Sequence, residues 1–586
     1  MRAADDAPLA RLARGPELPR WSPIDGERAL LAVVALYVGL FCVLPLGRLF
    51  AEALAPGGEV GPGLIADVLG SRAARRAAWN TLEAGLGATA LSVLLGTAMA
   101  LLIGLTDLRA RAVLVFLLLL PLLIPAQVTA IAWLQLMSPA SPVLGFLGLA
   151  PAPGSLNPLY GRGGIVLLMG IEHATIVFLA VTAGLRAVPA DLIEAARAAG
   201  ARPPRVAATV VLPLLRPAVI AGAALAFVSA IGNFGIPALL GIPGRYSMLT
   251  TLIYQRLNGF GPSVLGEVAV LAFVLAGFAA AGLAVQALAG RGMRAPLEAA
   301  GASARGAPFR LGRLRPAVEA AVWAVLLAIS ILPLLALVST SLIPALGVPL
   351  GPDTVTASNY AYALFRNSAT QRAFANSFAL ALGAAVAAVA VSVPLGYLVV
   401  FRRNALARGL NAVADAPFAL PGIVLAIACI LVFLRPLPLL GVSLYGTIWI
   451  LLVAYLGRFL ALGLRPTIAG LALVERSLEE AAQMAGAGPV RRLFGIVLPV
   501  AAPAAAAGGL LIFMTAFNEL TVSALLWSSG NETLGVLVFQ LYDQGNSTAA
   551  AAVAVLTVVA TLGVALAATA AARAGDLPRG VLPWQA

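Results

Sequence analysis

The chain has 586 residues, of which 61% are hydrophobic and only 11% are charged, and its mean hydropathy is +0.97. Soluble domains carry charges on about 25% of their residues, so this composition excludes a soluble globular protein and indicates an integral membrane protein. The formal net charge is +13, and all 38 basic residues are arginines. These arginines cluster in short loops between apolar runs, which is typical of membrane topology rather than of nucleic-acid binding.

Twelve apolar runs are long enough for a membrane-spanning helix, which needs roughly 20 residues. We place these spans at about 29–50, 79–105, 112–137, 163–185, 216–240, 264–289, 317–340, 374–401, 409–434, 446–468, 502–527 and 548–572. The sequence therefore predicts an all-α polytopic membrane protein of about twelve transmembrane helices, arranged as two halves of six.

Composition outside the spans sets the domain boundaries. Residues 1–28 mix charges of both signs and lack a small-residue cleavage site, so they predict a cytoplasmic tail rather than a signal peptide. The two halves are 29–289 and 316–586, joined by a cytoplasmic linker over 290–315 that is rich in Gly, Ala and Arg. The arginine-rich loops and both termini fall on one side of the membrane, which the positive-inside rule makes cytoplasmic.

A stretch of ten residues occurs twice, between spans 4 and 5 and again between spans 10 and 11. The first copy, 191–200, reads DLIEAARAAG, and the second, 477–486, reads SLEEAAQMAG. In each copy the glycine is followed 13 positions later by a proline, Pro213 or Pro499. The constant offset of 286 positions between the copies indicates a tandem duplication.

Each copy predicts a helix, a turn and a second helix. The first helix would begin at a capping box, formed by Asp191 and Glu194 in one copy and by Ser477 and Glu480 in the other. A left-handed glycine would end this helix and prolines would begin the next; these are Gly200, Gly486, Pro203, Pro204 and Pro489. A plain loop whose glutamate only caps its own helix is the alternative.

Other pairs extend the repeat through both halves. Asn80-Thr81 and Asn376-Ser377 begin spans 2 and 8, and Phe227 in span 5 corresponds to Phe513 in span 11. Prolines predict kinks at matching places in spans 3 and 9; they are Pro121, Pro125, Pro417 and Pro421. Six spans per half make the two repeats parallel, with an expected pseudo-twofold axis along the membrane normal.

The repeated Glu-Ala-Ala…Gly pattern, with its downstream Leu-Pro, resembles the EAA loop of the permease subunits of binding-protein-dependent ABC importers. Two copies in one chain are similar to the fused permeases of the ferric-iron family, to which the thiamine permease is related. The resemblance implies the type I ABC importer permease fold in the cell inner membrane. It implies ferric iron as the solute, with thiamine, an aminophosphonate or a polyamine as alternatives.

The same resemblance implies partners and contact residues. The partners are two ATP-binding cassette ATPase subunits, a solute-binding protein and the lipid bilayer, without nucleic acid and without a cofactor. The residues implied to contact the ATPases are Glu194, Ala195, Ala196, Gly200, Glu480, Ala481, Ala482 and Gly486. A P-loop needs a lysine, which this chain lacks, so we expect a non-catalytic permease whose ATPase is a separate chain.

Polar residues inside the spans are candidates for function, because they are costly in a membrane. Glu172 in span 4 corresponds to Arg458 in span 10, and the two could form an ion pair between the halves or could each pair locally. The resemblance implies that spans 5 and 11 line the translocation path, so Asn233, Asn518 and Glu519 could contact the solute; a purely structural contact between helices is the alternative.

No metal site is predicted. His173 lies beside Glu172, but a ferric site would need several converging oxygen ligands, and none converge there. The two cysteines, Cys42 and Cys429, lie inside apolar runs, which disfavours a disulfide or a thiolate site.

The rival function of another class is a twelve-helix secondary transporter driven by an ion gradient, which also uses two parallel halves. Such a carrier has no reason to place matched helical loops between spans 4 and 5 of both halves. A membrane-embedded enzyme would need clustered His, Asp or Cys residues, and the sequence contains no such cluster.

Overall fold

The computed structural model describes five segments of the chain, residues 23–55, 63–259, 264–291, 309–437 and 441–574. These segments are helical, and within them the only strand-like feature is an isolated bridge between Thr106 and Phe309. Residues 1–22 of the predicted tail and 292–308 of the predicted linker lie outside the described residues.

The first half consists of long apolar helices joined by short amphipathic ones. Its principal helices are α1 (Gly26–Leu54), α2 (Arg72–Leu105), α3 (Arg111–Leu123), α4 (Ala126–Leu136), α5 (Arg162–Arg186), α6 (Ala190–Ala198), α7 (Pro203–Gly232), α8 (Leu249–Leu257) and α9 (Val264–Arg291). The helix α1 continues upstream to Pro23, so it begins before the predicted residue 29.

The second half repeats this order helix by helix. Its principal helices are α10 (Gly312–Ser341), α11 (Ser368–Val400), α12 (Ala405–Ala419), α13 (Gly422–Phe433), α14 (Ile448–Ala472), α15 (Arg476–Met484), α16 (Pro489–Phe517), α17 (Leu534–Asp543) and α18 (Ser547–Ala574). Over the described residues, ten single helices and two bent pairs are long and apolar enough to cross a membrane. The prediction of an all-α polytopic protein built from two six-span halves is confirmed.

Spans 3 and 9 are broken rather than kinked. The helices α3 and α4 meet at 104°, and α12 and α13 meet at 106°. In each case the residue before a proline is extended, with ψ 134° at Ile124 and ψ 149° at Leu420, because the proline ring disfavours helical geometry at the preceding residue. Pro125 and Pro421 therefore divide each span into two helices.

Spans 5 and 11 end earlier than their apolar runs. The predicted spans 216–240 and 502–527 are wrong at both ends, since α7 is Pro203–Gly232 and α16 is Pro489–Phe517. The chain leaves the helix at Asn233 and Asn518, and the apolar residues that follow are buried in helical segments too short to span a membrane. Burial in the protein and insertion in lipid select the same apolar residues, so hydropathy could not separate them.

Each half covers the other with its first helix. On α1, the Tyr37 hydroxyl donates to the carbonyl of Leu456 in α14 at 2.9 Å. Gly457 permits this approach, because a Cβ there would lie 2.3 Å from the carbonyl oxygen of Phe41. On α10, the Ser330 hydroxyl donates to the carbonyl of Leu117 in α3 at 2.7 Å. The halves are thus interlocked, and one apolar core runs through both.

The repeat also appears in matching side-chain hydrogen bonds made by α2 and α11. The Asn80 side chain donates to the carbonyl of Ser247, and the Asn376 side chain donates to the carbonyl of Glu532. The Glu532 carboxylate also lies 3.4 Å from the Arg372 side chain. Burial raises the pKa of Glu532, but hydrogen bonds from backbone N–H groups and the Arg372 guanidinium outweigh this effect, so its pKa lies below the ordinary value.

Candidate functional site

A cavity of about 1790 Å³ lies between the two halves. Its polar lining comes from both halves and includes Gln127, Glu172, Asn233, Arg458, Asn518 and Glu519. It is also lined by Ala190 and Ile193 of α6, so it extends from the breaks in spans 3 and 9 to the end of the helix bundle at which α6 lies. The three residues predicted for the translocation path, Asn233, Asn518 and Glu519, all line this one cavity.

Asn233 and Glu519 occupy equivalent places, each beside the point where a long helix ends. The Asn233 side chain accepts a hydrogen bond from the N–H of Ile236 at 3.2 Å. The Glu519 carboxylate accepts from the N–H groups of Val522 and Ser523, at 2.7 and 3.0 Å. Both side chains therefore accept hydrogen bonds from backbone N–H groups at the start of the short segment that follows the long helix.

Asn518 makes a different set of contacts. Its amide donates to the carbonyl of Met514 at 3.0 Å and to the Thr561 hydroxyl of α18 at 3.2 Å. Asn518 thus ties the end of α16 to the last span of the second half. The structure gives all three predicted path residues a structural contact as well as a place on the cavity wall.

Glu172 and Arg458 do not form an ion pair within 4.0 Å among the described residues. The Glu172 carboxylate instead accepts from the Asn233 amide at 3.1 Å. The Arg458 guanidinium donates to the carbonyl of Leu420 at 3.4 Å and lies near the ring of Phe459. Each residue thus has another partner in this structure, and Arg458 reaches a carbonyl that the break at Pro421 exposes.

His173 is not among the residues that line the cavity. Its side chain is 3% exposed, and its Nδ1 atom has no hydrogen-bond partner among the described residues. No group of three His, Cys, Asp or Glu residues close enough to hold a metal ion occurs in the described ranges. Cys42 and Cys429 are both buried free thiols.

The elbows, which we define as α6 with its following turn and α15 with its following turn, have matching geometry. Each nine-residue helix has its counterpart at an offset of 286 positions. Gly200 and Gly486 adopt φ of 78° and 79°, so the predicted left-handed turns are confirmed. Pro203 and Pro489 begin the next helix, as predicted.

The predicted capping boxes are wrong. The N-cap residues are Pro189 and Glu475, and neither makes a side-chain cap. Each helix begins upstream of the predicted cap, so Asp191 lies inside the first turn of α6, where a carboxylate is favoured by the helix dipole. The carboxylates of Glu194 and Glu480 are left on the exposed surface of their elbows, where they are free to contact a partner.

A five-residue π-helical turn lies near the start of each long helix that follows an elbow, α7 and α16. These turns are Ala207–Val211 and Leu493–Val497. Each immediately precedes a Leu-Pro pair, and the proline that lacks an N–H interrupts the regular α-helical hydrogen bonds. The Leu-Pro part of the repeated pattern thus marks the joint between the elbow and the span.

The first elbow is packed on apolar side chains and on the segment that enters the second half. Ile193 and Val206 are buried, and the Arg197 guanidinium lies 5.5 Å from the ring of Phe309. Asp107 fixes the entering segment. The hydrogen bond from the N–H of Leu311, which outweighs the effect of burial, lowers the pKa of the Asp107 carboxylate.

The second elbow is packed on buried charges, which we did not predict. Glu479 lies 3.0 Å from Arg492, and the two side chains are 7% and 1% exposed. Aligning the two copies could have revealed this pair, because Glu479 stands where the first copy has Ile193, and Arg492 stands where it has Val206.

Comparison with known proteins agrees with this duplicated architecture. The family described as binding-protein-dependent transport system inner membrane component matches residues 92–295 and 392–575, more than half of the chain. The description of that family implies a solute-binding protein and an ATPase as partners.

Three relatives illustrate the range of similar proteins. The chain is 28% identical to the probable ABC transporter permease protein y4fN of Sinorhizobium fredii, over 87% of this chain and 89% of that protein. It is 24% identical to the ferric transport system permease protein FbpB of Actinobacillus pleuropneumoniae, over 92% and 77%. The putrescine transport system permease protein PotI of Escherichia coli is 29% identical over 31% of this chain and 65% of its own length. The chain therefore belongs to the family of binding-protein-dependent transport system inner membrane components and contains the family's domain twice.

Proposed function

We propose that this chain forms the membrane path of an ATP-driven importer, with the elbows as its contacts to two ATPase subunits and the central cavity as the solute path. The observation that carries the proposal is the continuity of each elbow with a cavity-lining helix. The helix α7 runs from the first elbow to Gly232, beside Asn233 in the cavity wall. Thirty residues of helix span roughly 45 Å, enough to cross the membrane.

This continuity suggests how ATP hydrolysis would act on the path. The chain stays helical through the π-helical turn and the prolines of α7, so a displacement of α6 would be transmitted along α7 to its far end. The second half repeats the arrangement with α15, α16 and Glu519. Two elbows, each seated on one ATPase subunit, would then move the two sides of the cavity together and alternate its opening between the two membrane faces.

The contact residues proposed within the elbows are the exposed glutamates and the small residues beside them. Glu194 and Glu480 offer carboxylates to a cationic partner, while the following alanines and the turn glycines allow close approach. With both elbows facing the ATPases, the elbow end of the bundle and both chain termini are cytoplasmic. This orientation is tested by labelling single engineered cysteines from outside intact cells, where Ala29→Cys should be protected and Asp353→Cys should react.

We propose ferric iron as the solute. Support comes from the similarity to the ferric permease of Actinobacillus, which covers 92% of this chain in the same fused layout. The cavity also presents the carboxylates of Glu172 and Glu519, the hard oxygen groups that ferric iron prefers. Thiamine, an aminophosphonate and a polyamine are the alternative solutes.

The test is uptake of radiolabelled ferric iron by cells lacking this chain, complemented with the native chain or with Glu194→Arg plus Glu480→Arg. The native chain should restore uptake and the elbow variant should not, at equal membrane levels. Asp353→Arg reverses an exposed charge in another loop and serves as the matched control. If neither chain alters iron uptake, the iron proposal is rejected, and the same strains are tested with thiamine, an aminophosphonate and putrescine.

The same strains separate the importer from a gradient-driven carrier. Purification of the native chain should recover an ATPase, with two ATPase subunits per chain by native mass, and the elbow variant should lose it. Equal uptake by both chains, together with loss of uptake after collapse of the ion gradient, would instead identify a secondary transporter.

A further inference from the structure

The two elbows are fixed to the membrane domain by different chemistry, although their backbones are equivalent. In the first elbow the buried contact is apolar, between elements that carry Ile193 and Val206. In the second elbow the same two positions hold Glu479 and Arg492, which form a buried ion pair. Apolar contacts are non-directional, whereas a buried charge pair requires its geometry to be kept.

Glu479 is the centre of this charged cluster. Its Oε1 atom lies 3.0 Å from Nη1 of Arg492 and accepts a hydrogen bond from the Tyr397 hydroxyl of α11 at 2.9 Å. Nη1 of Arg492 also donates to the Gln483 side chain at 2.7 Å. A single carboxylate thus joins α15 to the helix that follows it and to the end of α11.

A second arginine extends the cluster to the first helix of the chain. Arg402 lies 3.9 Å from the Glu479 carboxylate and 3.5 Å from the carboxylate of Glu27 in α1. Next to this contact, a Cβ at Gly26 would lie 3.6 Å from Pro489, so the start of α1 rests on the start of α16, directly after the second elbow. At the first elbow the equivalent of Arg402 is Thr106, and the contact with the entering segment is made by Phe309 instead.

We infer that Glu479 is a positioning residue that makes the second elbow and the start of α1 move as one unit. The carboxylate is shared by Arg492, near the start of α16, and by Arg402, which also lies beside Glu27. Moving α15 alone would separate Glu479 from Arg402, or Arg402 from Glu27, so we expect α1 to follow. The first elbow has apolar residues at these two positions, and Arg197 contacts the ring of Phe309, so no buried ion pair ties it there to a neighbouring helix. The functional part of this inference rests on the proposed role of the elbows.

The mechanical link can be tested in the full chain without any ATPase. Spin labels at Ala29→Cys and Met484→Cys report the separation of α1 and α15, both sites being exposed, and the native cysteines are buried. We expect one narrow distance distribution in nanodiscs. Arg402→Gln, which leaves the buried pair intact, should broaden it, whereas Arg403→Gln, which removes the neighbouring exposed charge, should leave it narrow.

Replacing the charged pair of the second elbow by the apolar residues of the first distinguishes a positioning role of Glu479 from a role in folding. Glu479→Ile alone leaves Arg492 buried without its partner and should lower the yield of folded chain. Adding Arg492→Val restores the apolar pair of the first elbow and should restore folding. The double variant should nevertheless show the broadened α1–α15 distance and, in the ATPase complex, about tenfold less solute moved per ATP hydrolysed.

The outcomes are distinct. A folded double variant with native distances and native solute moved per ATP would overturn the inference and leave the cluster a purely structural role. Broadened distances with an unchanged transport ratio would overturn the functional part. If no ATPase binds even the native chain, the proposed function fails, while the spin-label distances still decide whether Glu479 ties α15 to α1.

Discussion

Replacement of Glu519 tests whether the polar residues beside the ends of the long helices contact the solute or only accept hydrogen bonds from the backbone that follows. Glu519 is 7% exposed. Its carboxylate accepts three hydrogen bonds, from the N–H groups of Val522 and Ser523 and from the Ser523 hydroxyl. Glu519→Ala removes the acceptor for two buried backbone donors. Each unsatisfied donor costs roughly 1–3 kcal/mol, so the variant should lose about 2–6 kcal/mol of stability.

Asparagine is the informative replacement, because the first half uses Asn233 at this place. Asn233 accepts one backbone hydrogen bond where Glu519 accepts two. Glu519→Asn should therefore keep one of the two and lose about half as much stability as Glu519→Ala. The matched control is Thr515→Ala, which lies on the same cavity wall but bonds only within its own helix and should unfold like the native chain.

The assay is thermal unfolding of the full chain in nanodiscs, combined with solute uptake at matched expression. If residue 519 only accepts backbone hydrogen bonds, the native chain should be the most stable, the Asn variant less stable and the Ala variant the least stable. Uptake should then be proportional to the amount of folded chain. A Glu519→Ala variant that unfolds at the native temperature would refute the capping argument. A stable Glu519→Asn variant without uptake would indicate that the Glu519 carboxylate contacts the solute.

Other predictions concern close packing, the cavity wall and pH. Gly96→Ala puts a Cβ 2.5 Å from a backbone oxygen of α5 and should cost about 1–3 kcal/mol, whereas Gly277→Ala, with open space around it, should be neutral or stabilising in the same unfolding assay. Gly422→Ala puts a Cβ 2.7 Å from the guanidinium of Arg458, which lines the cavity. Because this flexible side chain can move away, uptake should change while the unfolding temperature stays near native. The pKa of Glu532 is lowered in the fold, so its stabilising effect is present above the ordinary glutamate pKa of about 4.3 and is lost as the pH falls below it. Arg372→Gln should therefore lower the unfolding temperature at neutral pH, and the native and variant curves should converge in acid.

The duplicated features were predictable because they depend on local chemistry at a fixed spacing. Left-handed glycines and prolines at helix starts act on their immediate neighbours, so Gly200, Gly486, Pro203 and Pro489 could be assigned from the sequence. The prolines of spans 3 and 9 were predicted to kink those spans, and the structure shows full breaks instead. The capping boxes failed for the same local reason. A residue three positions before a glutamate fits the first turn of a helix as well as its cap, and the spacing alone cannot distinguish the two.

Contacts between distant segments could not be predicted in this way. Alignment of the two repeats placed Glu172 and Arg458 at matching positions. It did not reveal that Asn233 would donate to Glu172, or that Arg458 would donate to the carbonyl of Leu420 at the break in span 9. The ends of α7 and α16 were obscured because the apolar runs continue into buried segments. These features depend on the folded partner, which periodicity and hydropathy do not describe.

Fusion of the halves has a consequence for the symmetry of the path. In one chain the two copies of each position can diverge independently, and here the polar positions have done so while the backbone has not. Asparagine corresponds to glutamate beside the helix ends, glutamate corresponds to arginine in spans 4 and 10, and an apolar pair corresponds to an ion pair at the elbows. A solute in the cavity thus meets unlike groups on its two sides. Corresponding substitutions in the two halves should therefore differ in effect, and Glu194→Arg alone should impair uptake to a different extent from Glu480→Arg alone.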